Sequence, residues 1–232
     1  MNEAFFRFPH TPHLVWLGKG EPRDDKVLSP AETDELLGGE IVVEEKLDGA
    51  NLGLSISPDG SLRVQHRGGW LSPPYSGEFR RLGAWLDQHQ ERLFDALEPH
   101  LIVFGEWCAA RHSLDYDRLP DWWLVFDVWD RNAQRFWSTT RRNAWAHAAG
   151  VPHIARLHQG RFTLPQLQDA VMRSASRYRL GPPEGVILRR EDDAWLRARA
   201  KLVRPDFVQG IETHWRRQPL RWNRLKASAE QG

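Results

Sequence analysis

The chain has 232 residues and carries 32 basic and 31 acidic side chains. That length allows one large domain with its own core or two small ones, and the charge balance excludes a globally polycationic protein while leaving room for local basic patches. The single cysteine, Cys108, excludes a disulfide framework and a zinc site built from cysteines. With no visible signal peptide and no apolar run of membrane-spanning length, the sequence predicts a cytoplasmic protein without membrane contact.

Turn residues and short apolar runs alternate through the first half of the chain. Prolines and the pair Gly38-Gly39 make residues 1–38 rich in loops, with room for one short helix. On either side of the turn Pro58-Asp59-Gly60, apolar and polar residues alternate, which is typical of a hairpin. Apolar residues near a 3.6 spacing then predict an amphipathic helix. The predicted elements are a helix over 29–37, a strand over 41–46, a hairpin over 52–66 and a helix over 76–97.

The second half repeats this mixture of strands and helices. Two apolar runs of strand length predict central strands, and cap residues at Ser138 and Thr163 predict two helices. The predicted elements are strands over 101–106 and 122–129, helices over 138–149 and 163–175, a hairpin over 185–190 and 195–203, and a basic segment over 207–226. Because the strands occur in hairpins with helices between them, the sequence predicts an α+β fold with mostly antiparallel sheets and flanking helices.

The most informative position is Lys46, at the end of the strand predicted over 41–46. The turn Asp48-Gly49 follows it, and carboxylates flank the lysine along the chain. A lysine held in a sheet in this setting is a candidate covalent nucleophile. Its amine attacks phosphorus only when it is neutral, so the site must lower the pKa of Lys46 or supply a divalent metal that offsets its charge.

The motif Lys46-Leu47-Asp48-Gly49 resembles the nucleophile motif of the covalent nucleotidyltransferases, which include DNA ligases, RNA ligases and mRNA capping enzymes. Further blocks follow it in the order that this superfamily shows, and agreement among independent signals strengthens the interpretation. The ordered set is similar to that of the ATP-dependent RNA ligase family related to the second RNA ligase of phage T4, over nearly the whole chain. The blocks are Arg67-Gly68-Gly69, Phe104-Gly105-Glu106, 124–128, 184–189 and Arg199-Ala200-Lys201, with flanking similarities over 8–14, 43–51 and 214–220.

The resemblance implies a nucleotidyltransferase fold, that of a ligase adenylation domain, and a lysyl-AMP intermediate made from ATP with Mg²⁺ or Mn²⁺. Lys46 is then the nucleophile, Lys201 contacts the α-phosphate, and Glu184 engages the catalytic metal. Glu106 contacts the ribose or a water on the metal, which makes it the second candidate metal ligand. Arg199 stands where the family usually has lysine, so its charge is kept and its geometry differs. The implied ATP-binding residues are Glu44, Glu45, Asn51, Arg67, Glu106, Phe126, Glu184, Arg199 and Lys201.

The remaining pocket roles come from the same resemblance. Phe126 corresponds to the ring that stacks on adenine, although a phenylalanine in an apolar strand is equally consistent with core packing. Glu44 lies on the nucleophile's face of its strand and is placed to accept from the adenine amino group, whereas Glu45 offers only backbone atoms there. Arg67 corresponds to a residue that binds ATP phosphates or the acceptor 5′-phosphate, and Asn51 to one near the sealing site.

Arginines and tryptophans alternate without any acidic residue between His214 and Lys226. Such a segment is typical of a patch that follows a phosphate backbone and stacks on bases, and the alternative is a solvated basic face. Arg111 is a further candidate for a loop contact to nucleic acid or phosphate. The candidate RNA-binding residues are Arg67, Arg111, Arg216, Arg217, Arg221 and Arg224.

Together these features predict an ATP-dependent RNA ligase. It would transfer AMP to an RNA 5′-phosphate and seal that end to a 3′-hydroxyl, in RNA repair beside an end-healing kinase or phosphatase. Because only about thirty residues follow Lys201, we expect a single adenylyltransferase domain over 1–232, with a loop-rich segment 1–38, a basic segment 205–232 and no appended OB domain. The alternatives are a DNA ligase or other polynucleotide adenylyltransferase, and a catalytically silent nucleic-acid-binding module.

Overall fold

The computed structural model describes residues 5–19, 22, 26–210 and 219–227. Within them, two antiparallel β-sheets are flanked by helices, so the predicted α+β class is confirmed. No helix in these ranges is both long and apolar enough to cross a membrane. The helices are α1 Pro30–Leu37, α2 Leu82–Ala96, α3 Thr139–Ala148, α4 Leu164–Arg173 and α5 Pro205–Gly210. The strands are β1 Ile41–Lys46, β2 Ala50–Ile56, β3 Leu62–His66, β4 Gly69–Leu71, β5 Leu101–Trp107, β6 Trp123–Asp130, β7 Arg135–Phe136, β8 Arg156–Gly160, β9 Gly185–Glu191 and β10 Leu196–Val203.

The four-stranded sheet has the order β10-β9-β1-β8, which places the lysine strand β1 in its interior. One face of this sheet is apolar and packs against α1 and α4. On the other face, the register pairs Glu44 with Ile187 and Ile187 with Lys201. Because cross-strand partners point to the same side, Lys46, two residues after Glu44, shares this face with Lys201.

The six-stranded sheet has the order β4-β3-β2-β5-β6-β7. Leu52, Leu54 and Val103 on one face pack with α2 and α3 in an extended apolar cluster. Residues alternate between the two faces of a strand, so Asn51 points away from that cluster, as does its cross-strand partner Glu106. The polar faces of the two sheets therefore supply the walls of one cavity.

Most of the predicted elements are present. The strand over 41–46 is β1, both hairpins form, and the two central strands are β5 and β6. Capping boxes form at Ser29 and Thr163 and begin α1 and α4. The helix predicted over 76–97 is wrong at its start. Gly77 has a φ of 56°, which an α-helix cannot include, so the chain makes a single 3₁₀ turn and α2 begins at Leu82.

The sequence does not predict β4, β7, β8 or α5. The side chains of β8 are exposed or half-buried, so it lacks the alternation that marks a half-buried strand, and it forms because its backbone pairs with β1. Of the basic segment predicted over 207–226, the first residues belong to α5, residues 211–218 lie outside the described residues, and 219–227 lie against the domain. We call 219–227 the tail segment.

Candidate active site

A cavity of about 470 Å³ opens between the polar faces of the two sheets. Because β1 and β10 reach it from one side and β2, β5 and β6 from the other, residues far apart in the sequence meet at its walls. Of the residues predicted from the sequence, the cavity wall includes Glu44, Glu45, Lys46, Asn51, Arg67, Glu106, Phe126, Arg199 and Lys201. Glu184 reaches the same place through its contact with Lys46.

Lys46 ends β1 with its ammonium held against a buried carboxylate. Its Nζ lies 2.7 Å from both carboxylate oxygens of Glu184. Burial by itself lowers the pKa of Lys46, but the carboxylates of Glu184, Glu106 and Asp48 outweigh it, and the net pKa is raised. The lysine in this state is a charged ammonium, so its activation requires a change in the charge around it.

Two buried carboxylates, Glu106 and Glu184, could bring a positive charge close to Lys46 by binding a divalent cation. Burial raises the pKa of Glu106 to about 7, and it likewise raises the pKa of Glu184 to about 7, although Lys46 opposes the shift in both. A bound cation would stabilise the ionised form of these buried carboxylates. Oxygen ligands of this kind suit Mg²⁺ and Mn²⁺. No cluster of three or more histidine, cysteine or acidic residues with metal-binding geometry occurs in the described ranges. Two carboxylates are nevertheless enough where substrate phosphates and waters complete the metal's coordination, so the donor set fits.

Residues 46–49, which we call the nucleophile turn after the role predicted for Lys46, are fixed by two neighbouring segments. The Asp48 carboxylate accepts hydrogen bonds from the backbone N–H groups of Ser113, at 2.7 Å, and Leu114, at 2.8 Å. Gly49 donates its N–H to Glu106 at 3.0 Å. A Cβ at Gly49 would lie 2.6 Å from the carbonyl oxygen of Trp107, so only glycine allows the turn to approach β5 this closely.

A buried charge network lies beneath the cavity and changes the interpretation of Glu44. Arg142 of α3 donates to both carboxylate oxygens of Glu44, at 2.5 and 3.0 Å, and also to the carbonyl of Phe126 at 2.7 Å. Both oxygens thus have a donor within the protein, which gives Glu44 a structural role in ordering the wall on which Phe126 sits. The adenine contact predicted for Glu44 stays a prediction.

The same network engages Arg199. Its guanidinium pairs with Asp127, which also accepts from Arg189 at 2.8 Å. The rings of Phe8 and Phe136 each lie 4.4 Å from the Arg199 guanidinium carbon. Burial lowers the pKa of Arg199, and the charge of Asp127 opposes that shift. Arg199 is therefore part of the cavity wall, with its guanidinium paired to Asp127. A lysine at this position would present a more flexible point charge to a phosphate.

Replacing Arg142 with methionine should destabilise the protein by about 3–5 kcal/mol, because it leaves the buried Glu44 carboxylate without its partner. The measurement is the free energy of unfolding from urea titration. Arg173→Met is the matched control, because its ion pair with Asp169 is exposed on α4 and should contribute no more than about 1 kcal/mol. Equal losses in the two variants would show that the network contributes little to stability.

The other predicted pocket residues lie as follows. Phe126 is half-buried at the cavity wall and meets Phe8 edge to face with 5.2 Å between ring centroids. The Asn51 amide oxygen is buried and has no hydrogen-bond donor among the described residues. Arg67 and Lys201 both reach the cavity, from β3's end and from β10. Glu45 turns its side chain away, toward Ser176 and the N–H of Arg177, which agrees with the expectation that only its backbone faces the site.

The predicted RNA-binding residues divide into three groups. Arg67 lies in the cavity, and Arg216 and Arg217 lie outside the described residues. Arg111, Arg221 and Arg224 form one surface, where Arg111 N–H donates to the Arg221 carbonyl at 2.9 Å. The sequence shows no acid within the tail, but the fold brings one from elsewhere: Asp115 lies 3.3 Å from Arg111 and 3.7 Å from Arg224.

Sequence reasoning did not single out Arg142, and it included Asp127 and Arg189 in motif blocks without giving them a role, because such residues carry no local sign of a shared buried network. It also gave no role in the cavity to His112, whose Nε2 lies 2.8 Å from a carboxylate oxygen of Glu78 at the cavity wall. No sequence spacing connects these residues, and the packing of α3 and of loops against the paired strands brings them together.

Comparison with known proteins finds one matching family model and several structures of similar fold. A family model described as RNA ligase matches residues 39–203. Naegleria gruberi RNA ligase with PPi superposes with a TM-score of 0.63 at 18% identity, covering 77% of this chain and 53% of that one. An archaeal ATP-dependent RNA ligase gives a TM-score of 0.63 at 21% identity, covering 90% and 50%. A mutant of the Naegleria gruberi ligase with ATP and Mn gives 0.60 at 16% identity, covering 78% and 54%.

At this level of identity the superpositions establish a shared fold. The chain spans about half the length of these solved structures. No curated protein matches it.

Proposed function

The chain belongs to the RNA ligase family, and on this premise we propose that it is an ATP-dependent RNA ligase acting through a lysyl-AMP intermediate. The observation that carries the proposal is the contact between Lys46 and Glu184 in a cavity that also contains Glu106 and Lys201. A nucleophilic amine, two carboxylates for a divalent cation and a basic residue for phosphate are the parts that adenylyl transfer requires. The names of the Naegleria and archaeal structures, with their ATP, Mn and PPi, agree with this chemistry.

In the first step, the Lys46 amine attacks the α-phosphorus of ATP. A P–N bond forms, the bond to the β-phosphate oxygen breaks, and pyrophosphate leaves. A divalent cation held by Glu184 and Glu106 would neutralise phosphate charge and offset the carboxylates that now keep Lys46 protonated. Lys201, on the same face of the sheet, is placed to hold the α-phosphate, and Phe126 to contact the base.

In the later steps, AMP moves from the lysine to RNA and is then released. A 5′-phosphate oxygen attacks the phosphorus of lysyl-AMP, so that a P–O–P bond forms and the Lys46 amine leaves. A 3′-hydroxyl oxygen then attacks the 5′-phosphorus of the adenylylated RNA. A phosphodiester bond forms, the bond from that phosphorus to the oxygen of AMP breaks, and AMP leaves. Arg67 and Asn51, which both line the cavity, are candidates to hold the two ends. The buried Asn51 oxygen, without a donor among the described residues, is suited to accept from a substrate hydroxyl.

The test is the mass of the intact protein after incubation with ATP and Mg²⁺ or Mn²⁺, followed by presentation of nicked or single-stranded ends. We expect one AMP adduct on the protein and joining of RNA ends that carry a 5′-phosphate and a 3′-hydroxyl. Joining of DNA in preference to RNA would indicate the DNA ligase alternative. A protein that binds RNA but never acquires AMP would indicate the silent binding module.

The basic surface gives a separate prediction for RNA binding. Replacing Arg221 and Arg224 with serine should weaken RNA binding and flatten its dependence on salt, because two phosphate contacts and their released counterions are lost. Lysyl-AMP formation with ATP alone should persist, since both side chains are exposed outside the cavity. The measurement is the RNA dissociation constant at several salt concentrations.

The matched control replaces Arg161 and Arg173 with serine, because both are exposed near the far side of the four-stranded sheet. An unchanged salt slope in the Arg221/Arg224 variant would place the RNA path elsewhere, with Arg67 and Arg111 as the next candidates. The single-domain organisation, the role in RNA repair beside an end-healing enzyme and the cytoplasmic location stay predictions.

A further inference from the structure

The tail segment is anchored by one buried asparagine. Asn223 is 2% exposed, and its amide group faces residues 108–119, which we call the clamp loop. The Asn223 side-chain oxygen accepts from the N–H of Tyr116 at 2.9 Å. Its side-chain nitrogen donates to the carbonyl oxygens of Cys108, at 2.8 Å, and Ala110, at 3.2 Å. One side chain thus joins the beginning and the middle of the loop.

Only a side chain with both a donor and an acceptor in one plane can make this set of contacts, which is the property of an amide. The backbone strengthens it, because the N–H of Asn223 donates to the carbonyl of Ala109 at 3.0 Å. Removing the amide would leave one N–H and two carbonyl groups, all on buried residues of the loop, without this partner. The shape of the clamp loop therefore depends on the tail segment, which is distant in the sequence.

The other side of the clamp loop holds the nucleophile turn. Ser113 and Leu114 donate their N–H groups to the carboxylate of Asp48, as described above. In return, the N–H of Asp48 donates to the hydroxyl of Tyr116 at 2.8 Å. Tyr116 is fully buried and packs with Leu47 in one apolar cluster. The same residue is therefore tied to Asn223 by its backbone and to the nucleophile turn by its side chain.

We propose that Asn223 is a positioning residue for Lys46, acting through Tyr116 and the clamp loop on the nucleophile turn. Two links separate Asn223 from Asp48, and Asp48 lies two residues after the lysine whose Nζ must meet the α-phosphorus. In-line attack is sensitive to displacements of about 1 Å, so loosening this turn slows the reaction without removing any group that touches ATP. The inference rests on the proposed function for its kinetic consequence, and its structural consequence can be measured without activity.

The experiment compares Asn223→Ala, Tyr116→Phe and the double variant in the full chain. Hydrogen–deuterium exchange of residues 46–51 reports the turn itself, and the rate of lysyl-AMP formation reports its effect. We expect faster exchange over 46–51 in both single variants. The rate at saturating ATP should fall about 10- to 100-fold, while KM for ATP changes less than about threefold. The double variant should be no slower than the slower single variant, because both substitutions break one chain of contacts.

Trp145→Phe is the matched control. It removes one buried hydrogen bond, from the indole N–H of Trp145 to the carbonyl of Ala96 at 2.8 Å, in a contact between α3 and α2. We expect it to lower the melting temperature and to leave both the exchange of 46–51 and the adenylylation rate unchanged. A merely structural role for Asn223 would give the same pattern as this control.

Three results would overturn the proposal: unchanged exchange over 46–51 in a folded Asn223→Ala variant, a loss confined to KM, or losses that multiply in the double variant. Should Asn223→Ala fail to fold, Tyr116→Phe carries the test, because its ring still fills the cluster and only the hydroxyl is lost. Unchanged exchange and rate in Tyr116→Phe would then overturn it. If the unmodified protein forms no AMP adduct, the proposed function fails, and the exchange measurement still decides this inference.

Discussion

Lys46→Ala should form no AMP adduct under conditions in which the unmodified protein is fully adenylylated. The amine of Lys46 lies in the cavity between the two sheets, in contact with the Glu184 carboxylate. Its removal leaves no nucleophile for the α-phosphorus, so the loss should be complete. The protein should still fold, because Lys46 is half-buried at the end of β1 and contributes no apolar contact to the core.

The measurement is intact mass after incubation with ATP and Mn²⁺, with circular dichroism to confirm the fold. Lys26→Ala is the matched control, since Lys26 is 62% exposed and pairs with Glu32 on the surface. That control should acquire AMP to the same extent as the unmodified protein. A full-yield adduct in Lys46→Ala would remove the lysine from the mechanism and send the search for a nucleophile to other residues.

Glu184→Gln should reduce the rate of lysyl-AMP formation on the order of a hundredfold or more, because it removes a ligand for the divalent cation at the transferring phosphoryl group. The substitution keeps the shape of the side chain and its ability to accept one hydrogen bond from Lys46. The change in charge is therefore isolated from the change in packing. Single-turnover rates at increasing Mn²⁺ are the measurement, and the variant should require more metal to reach a lower maximum.

Glu98→Gln is the control, because the Glu98 side chain is 69% exposed and lies outside the cavity. It should leave both the rate and its metal dependence unchanged. A near-normal rate in Glu184→Gln would mean that the cation is held elsewhere, and Glu106 would be the first residue to test. Loss of folding in Glu184→Gln would instead show that the carboxylate is needed to neutralise Lys46 during folding.

The sequence alone was sufficient to predict the family, through motifs that follow Lys46 in order. Each motif occupies only a few consecutive residues, so its resemblance to the family's pattern can be recognised without the fold. The capped helices and both hairpins are local for the same reason. Gly77 marks the limit of this approach, since nothing in the spacing of the apolar residues reveals that its backbone is left-handed.

The tertiary structure alone decided which charges meet and what holds the nucleophile turn. Arg142 bonds to Glu44, which is 98 positions away in the sequence, and Asn223 bonds to Tyr116, which is 107 positions away. The physical reason is that hydrophobic periodicity and turn chemistry act over a few residues, whereas the partner of a buried charge or amide is set by how sheets and loops pack. The sequence by itself therefore determined the family and the chemistry that we propose, through short motifs that occur in order along the chain. Only the packing of the two sheets, the helices and the tail segment determined the partners of Glu44, Arg199 and Asn223, because burial pairs each of them with a residue far away in the sequence.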